Sequence, residues 1–132
     1  MSFLIDTDIC SAYLKSGGQI ASRFIQHSGQ LHLSVITLGE LYTWALRKNA
    51  PPKYLESLMA FLSDVTVLDV TQDVAQAFGT IRAQLFDQGV TISGMDLMIA
   101  ATALVRESML VTHNTKHFNK IPGLRVVDWL KD

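Results

Sequence analysis

The chain has a single cysteine, Cys10, so it can form no disulfide within itself, and a reducing compartment is expected. It also lacks an excess of either charge, because 11 Lys and Arg residues stand against 12 Asp and Glu residues. Binding to nucleic acid would therefore need a local patch and not the charge of the whole molecule. No apolar run approaches the roughly 18 residues of a membrane helix, and acids at positions 6 and 8 interrupt the start too early for a signal peptide. We expect a cytoplasmic protein with no membrane association.

Apolar residues are plentiful: they make up 48% of the 132 residues, and charged residues make up 17%. This composition excludes a disordered chain and predicts one domain over residues 1–132. Short apolar runs alternate with helical patterns. Strands are predicted at 3–5, 31–35, 65–70, 109–112 and 124–128, and helices at 7–15, 19–26, 37–48, from 52 onward, 71–89, 97–107 and 114–118. Such alternation predicts an α/β fold of three layers, with a mostly parallel five-stranded sheet between helices.

Three acids are predicted at one edge of this sheet. Asp6 directly follows the first strand, which is apolar without a break and should be buried on both faces. Glu40 and Asp96 fall in the first turns of later helices, which begin at the same edge as the strand ends. Thr112 and Asn114 reach that edge after the fourth strand. Each acid also has a structural explanation, because Asp6 could be a helix N-cap, and Glu40 and Asp96 stand three residues after Thr37 and Ser93, the spacing of a capping box.

Carboxylates that converge repel one another and raise one another's pKa unless a cation joins them. Oxygen ligands of this kind suit Mg²⁺ or Mn²⁺ and not zinc. Metal-assisted hydrolysis of a phosphodiester is the chemistry that such a cluster predicts.

Five segments, taken in order, resemble a PIN domain of the VapC toxin type: Leu4–Asp8, Ser34–Leu41, Gly94–Ala101, Leu110–Phe118 and Ile121–Trp129. The resemblance extends over essentially the whole chain. It implies a Mg²⁺- or Mn²⁺-dependent endoribonuclease that forms a homodimer and is inhibited by a small antitoxin protein. It does not indicate which RNA is cut.

The resemblance also implies roles for individual residues. Asp6, Glu40 and Asp96 match the family's metal-holding acids, and Thr112 matches a Ser or Thr that orients the site. Asn114 stands where many members have Asp, and His117 where several have an acid. Because an Asn side chain brings no charge, we expect one ion to bind well and a second to bind weakly or only with RNA.

The segment around these residues carries several cationic side chains and no acid between Val111 and Val126. Lys116, His117 and Lys120 are candidate contacts to RNA phosphates, with Arg125 and His113 as further members of this patch; a solvated turn is the alternative. The spacing of the two histidines suits zinc, but no cysteine or second pair accompanies them. Asp8 is expected at most to contact the residues that hold the metal ion, without binding the ion itself, or to be an acid in the first turn of a helix.

Two other functions remain open. Leu4–Asp8 also fits the start of a haloacid-dehalogenase-type phosphatase, in which Asp6 would be the nucleophile and Asp8 the acid. Asn114 permits a degenerate PIN domain that only binds. Tyr42, Trp44 and Met59 could form a dimer or antitoxin surface, although Trp44 is interpreted as part of the core.

Overall fold

In a computed structural model, which describes residues 1–131, five short strands alternate with seven helices. The strands are β1 (Phe3–Ile5), β2 (Leu31–Ser34), β3 (Thr66–Leu68), β4 (Met109–Val111) and β5 (Val126–Val127). The helices are α1 (Thr7–Ser16), α2 (Gly18–Gln26), α3 (Val35–Leu46), α4 (Pro52–Leu62), α5 (Gln72–Asp87), α6 (Gly94–Val105) and α7 (Thr115–Phe118).

All strand pairs are parallel, and the strand order is β3-β2-β1-β4-β5. The strand β1 is therefore the central one, which explains its unbroken apolar sequence. The chain builds one half of the sheet outward from β1 and then returns to build the other half from β4. Parallel sheets bind ligands at such a reversal, beyond the carboxyl ends of the strands.

The sheet lies between two apolar layers, which confirms the predicted α/β/α architecture. On one face, Phe3 and Ile5 of β1 pack with α1–α4. On the other face, Leu4 packs with α5, α6 and α7. The predicted burial of α6 is confirmed, since six of its twelve residues are buried. No helix within residues 1–131 is long and apolar enough to span a bilayer.

The start of α3 departs from the prediction. The Ser34 hydroxyl accepts a hydrogen bond from the Ile36 amide, so the helix begins at Val35 and not after Thr37. Thr37 is buried inside the helix, and Glu40 lies in the second turn. The predicted capping box of Thr37 and Glu40 is therefore wrong, because the buried Ser34 at the end of β2 caps the helix first.

Candidate active site

Asp6 occupies the center of the carboxyl edge, directly after β1. Its Oδ1 accepts from the Thr7 amide at 2.8 Å, so it caps α1, and its Oδ2 accepts from the Thr112 hydroxyl at 2.8 Å. Only 6% of the residue is exposed. Burial, together with the charge of Asp8, raises its pKa from 3.8 to about 7, against the lowering effect of these two hydrogen bonds. The fold therefore holds Asp6 at a position where burial and the charge of Asp8 disfavour its ionised form.

Asp8 lies in the first turn of α1 and contributes more to the site than the sequence indicated. Its Oδ2 accepts from the His113 amide at 3.1 Å and lies 3.5 Å from the Thr112 hydroxyl. Burial raises its pKa, and the nearby Asp128 adds to that rise. The interpretation of Asp8 as a helix-start acid is confirmed, but its carboxylate also joins α1 to the loop after β4.

Asp96 lies in the first turn of α6, as predicted. The Ser93 hydroxyl accepts from the Asp96 amide at 3.2 Å, which confirms Ser93 as the cap. The Asp96 carboxylate lies 3.1 Å from Nε2 of His117, and its charge contributes to the raised pKa of Asp6. Asp96 therefore donates its amide to the Ser93 cap, while its carboxylate acts on the central acid.

Glu40 faces the same site from α3, but it contacts Asp6 only through an intermediary. Its Oε1 accepts from the Thr7 hydroxyl, which also lies 3.3 Å from the Thr37 hydroxyl. The helix register explains this placement, since Glu40 is one turn farther along α3 than a capping-box acid would be.

The loop between β4 and α7 contains the remaining predicted residues. Thr112 is fully buried, and its hydroxyl both donates to Asp6 and accepts from the Asn114 amide at 3.1 Å. Asn114 is exposed at the start of α7, where its carboxamide does not cap the helix. The main chain of Asn114 therefore supports Thr112, while its side chain remains available to solvent.

The cationic patch is smaller than predicted. Lys116 and Lys120 are exposed, and His117 pairs with Asp96. Arg125 is not part of the patch, because its guanidinium donates to the Glu107 carbonyl at 2.9 Å, near the end of α6 at the opposite edge of the sheet. Arg125 precedes β5, and the chain crosses the whole molecule before it reaches that strand.

A second feature that the sequence reasoning missed is the pair of His113 and Asp128. The His113 Nδ1 lies 2.9 Å from Oδ2 of Asp128, which is 5% exposed, whereas the imidazole is 57% exposed. Asp128 directly follows β5. Asp128 shares part of the signal that predicts Asp6, because it is also a carboxylate directly after a strand, although β5 is only half-buried.

The donor chemistry of this edge suits a hard divalent cation, because Asp6, Asp8, Asp96 and Glu40 all offer carboxylate oxygens and the pKa of Asp6 is raised. Within residues 1–131, however, no three His, Cys, Asp or Glu side chains are grouped so that they could hold a metal ion. The carboxylates of Glu40 and Asp96 instead contact Thr7 and His117. Hydrogen bonds from Thr112 and Thr7 offset part of the cost that burial and the neighbouring acids place on the charged form of Asp6.

Known proteins share both this fold and this sequence pattern. The PIN domain family matches residues 3–124, and the chain belongs to that family. Among its relatives, the tRNA(fMet)-specific endonuclease VapC of Shigella flexneri is 35% identical, and the alignment covers 98% of each chain. Ribonuclease VapC2 of Haemophilus influenzae is 34% identical over 98% of this chain and 99% of its own.

Solved structures agree. The DNA-bound VapBC of Salmonella typhimurium contains a chain with a TM-score of 0.93 and 35% identity, with 98% of both chains covered. VapBC2 of Rickettsia felis, bound to a promoter DNA fragment, contains one with a TM-score of 0.90 and 27% identity, covering 98% of this chain and 99% of that one. PIN-domain nucleases generally depend on a divalent metal ion.

Proposed function

We propose that this protein is an endoribonuclease and the toxin of a toxin–antitoxin pair, acting as a single domain. The observation that carries the proposal is Asp6, a carboxylate at the reversal of the sheet whose pKa is raised to about 7 by burial and, to a smaller extent, by the charges of Asp8 and Asp96. A cation is the natural partner for such a group. Asp6, Glu40 and Asp96 would hold a Mg²⁺ or Mn²⁺ ion, and the chemistry that such an ion would supply there is activation of water and stabilisation of charge on the leaving oxygen.

The other residues of the site position this center. The Thr112 hydroxyl orients the Asp6 carboxylate, and the main chain of Asn114 orients that hydroxyl. The Asn114 carboxamide offers an uncharged oxygen, so the site favours one tightly held ion over two. Lys116 and Lys120 are exposed, and with His117, which contacts Asp96, they would contact RNA phosphates.

Partners follow from the relatives. VapBC complexes pair a toxin with an antitoxin, and we propose a small antitoxin as the partner of this chain, together with a homodimer of the toxin. Because the Shigella relative is named for tRNA(fMet), a transfer RNA is the substrate class to examine first.

The decisive experiment is cleavage of total cellular RNA by the purified protein freed of antitoxin, with and without Mg²⁺ or Mn²⁺. Discrete fragments that need metal, and that Asp6→Asn and Asp96→Asn fail to produce, are the expected result. Asp87→Asn is the matched control, since it removes an exposed carboxylate in the last turn of α5 that forms no hydrogen bond with the site residues. Cleavage that persists in both site variants would show a contaminating nuclease.

A binding module without catalysis is the second candidate, favoured by the absence of a preassembled group of three ligands within residues 1–131. RNA that stays intact at enzyme excess with Mn²⁺, for wild type and Asn114→Asp alike, would support it. A phosphatase of the haloacid-dehalogenase type gains no support from the family match. Loss of phosphate-ester hydrolysis in Asp6→Asn and Asp8→Asn, but not in Glu40→Gln, would be needed to revive it.

A further inference from the structure

A cavity of about 430 Å³ lies away from the acids, where the ends of α1 and α3 meet the start of α4. Its lining includes Trp44 and Tyr54, whose rings stack with centroids 4.4 Å apart and planes 15° apart. Trp44, which the sequence assigns to the core, is only half-buried and faces this cavity. The core interpretation of Trp44 is therefore only partly right.

Three exposed cations, Lys15, Arg47 and Lys48, also line the cavity, and none of its lining residues is acidic. None of the three forms a salt bridge within residues 1–131. The partial negative charges at the ends of α1 and α3 favour cations there. They do not account for the open cavity or for the stacked aromatic pair beside it.

The cavity is connected to the acids by the geometry of α3. Trp44 is four residues after Glu40, so the indole lies about 6 Å farther along the same face of the helix, and Arg47 lies about 10 Å from Glu40 along the axis. The helix α1 runs the same way, from Asp6 at its N-cap to Lys15 in its last turn. A single strand of nucleic acid a few nucleotides long can extend over this distance.

We propose that this cavity is a subsite for single-stranded RNA, separate from the acids, in which a base stacks on the Trp44–Tyr54 pair and Lys15, Arg47 and Lys48 contact phosphates. Stacking on aromatic rings combined with unpaired cations is how proteins hold single strands without reading their sequence. In a protein of net charge −1, this local cluster supplies the attraction that the whole molecule lacks. The proposal rests on the proposed function and names where the substrate is held beyond the cleavage site.

The test measures the binding of a fluorescently labelled single-stranded RNA oligonucleotide to the antitoxin-free protein in EDTA, by anisotropy at several salt concentrations. We expect Tyr54→Leu and Trp44→Leu to weaken binding about fivefold to 100-fold. Arg47→Gln with Lys48→Gln lowers the salt slope by about 0.7 for each phosphate that the protein no longer neutralises. Arg106→Gln, which removes an exposed cation at the end of α6, is the control and leaves both quantities unchanged.

A second measurement does not depend on variants of the aromatic pair, which could disturb folding. In a Trp129→Phe background Trp44 is the sole tryptophan, and added RNA should quench its fluorescence. Unchanged affinity in the Arg47/Lys48 variant together with no quenching would overturn the proposal. Normal RNA affinity of the Arg47/Lys48 variant, combined with its failure to capture a co-produced antitoxin, would also overturn the proposal. That result would assign the cavity to contact with a protein. Because binding is measured without metal, failure of cleavage leaves this result intact, and failure of binding leaves the nuclease assignment intact.

Discussion

At the scale of single residues, Asp6 couples stability to pH. Its pKa is about 7 in the folded protein and 3.8 as a free side chain, so between these values the folded state binds more protons than the unfolded state. The free energy of unfolding therefore falls as pH rises from about 4 to about 7 in metal-free protein, by a few kcal/mol at most. Urea unfolding at a series of pH values checks this. Asp6→Asn should flatten the dependence and be the more stable protein at pH 8; an equally steep curve would contradict the assignment.

Thr112 offers a sharper test, because its hydroxyl is the donor that stabilises the charged form of Asp6. Thr112→Val removes the donor and keeps the shape, so the pKa of Asp6 should rise further and RNA cleavage at neutral pH should fall by about tenfold or more. Thr112→Ser retains the hydroxyl and is the matched control. Its activity should stay near wild type, and the pH–rate profile of the valine variant should shift upward. An unshifted profile would show that Thr112 only fills space.

The sequence predicted Asp6 and Asp96 because a simple local rule applies to each. Asp6 directly follows a buried strand, and Asp96 stands three residues after a serine that caps a helix. The sequence underestimated Asp8, because a residue two positions after Asp6 was expected to point away from the site. The chain is already helical at Asp8, and the first turn of α1 directs the carboxylate to the loop after β4. Contacts across such distances in sequence are not visible in local patterns.

At the scale of elements, α3 shows how a cap decides where an active-site residue lies. Ser34 is buried and caps the helix, so Ser34→Ala should lower the free energy of unfolding by about 0.5–2 kcal/mol. It should also weaken RNA cleavage, because fraying of the first turn of α3 would displace Glu40 from the site. Thr43→Ala, on the outer face of the same helix, should change stability by less than about 0.5 kcal/mol. Equal effects of the two substitutions, measured by chemical denaturation, would rule out the cap.

The remaining elements were predictable in type and order, because their apolar periodicity is strong, whereas their ends were not. The strand β5 was expected over 124–128 but consists of Val126 and Val127. Arg125 therefore lies before the strand, where its guanidinium contacts the Glu107 carbonyl and not the cationic patch. Packing against neighbouring elements, here α6, determines where the chain leaves one edge of the sheet and where it rejoins the other. The local sequence does not determine these positions.

At the scale of the whole molecule, metal binding should stabilise the fold by relieving repulsion between its acids. At a metal concentration 100 times the dissociation constant the gain is about 2.7 kcal/mol, which for a domain of this size raises the melting temperature by several degrees. Asp96→Asn should abolish most of the shift, and Asp87→Asn should keep it. Thermal melts across millimolar Mg²⁺ and Mn²⁺ provide the measurement. An unchanged melting temperature for wild type would count against metal binding in the absence of RNA.

The hydrogen bond between Asp6 and Thr112 joins residues 106 positions apart, so it limits when the site can assemble during synthesis. During synthesis at about 5 to 20 residues per second, Thr112 follows Asp6 by roughly 5 to 20 s. The central strand β1 is made long before its neighbour β4 and before the hydroxyl that orients Asp6. Every fragment released before Thr112 lacks the complete center. A ribosome that makes this protein therefore meets an assembled site only after Thr112 has been added, because shorter products lack the hydroxyl that orients Asp6.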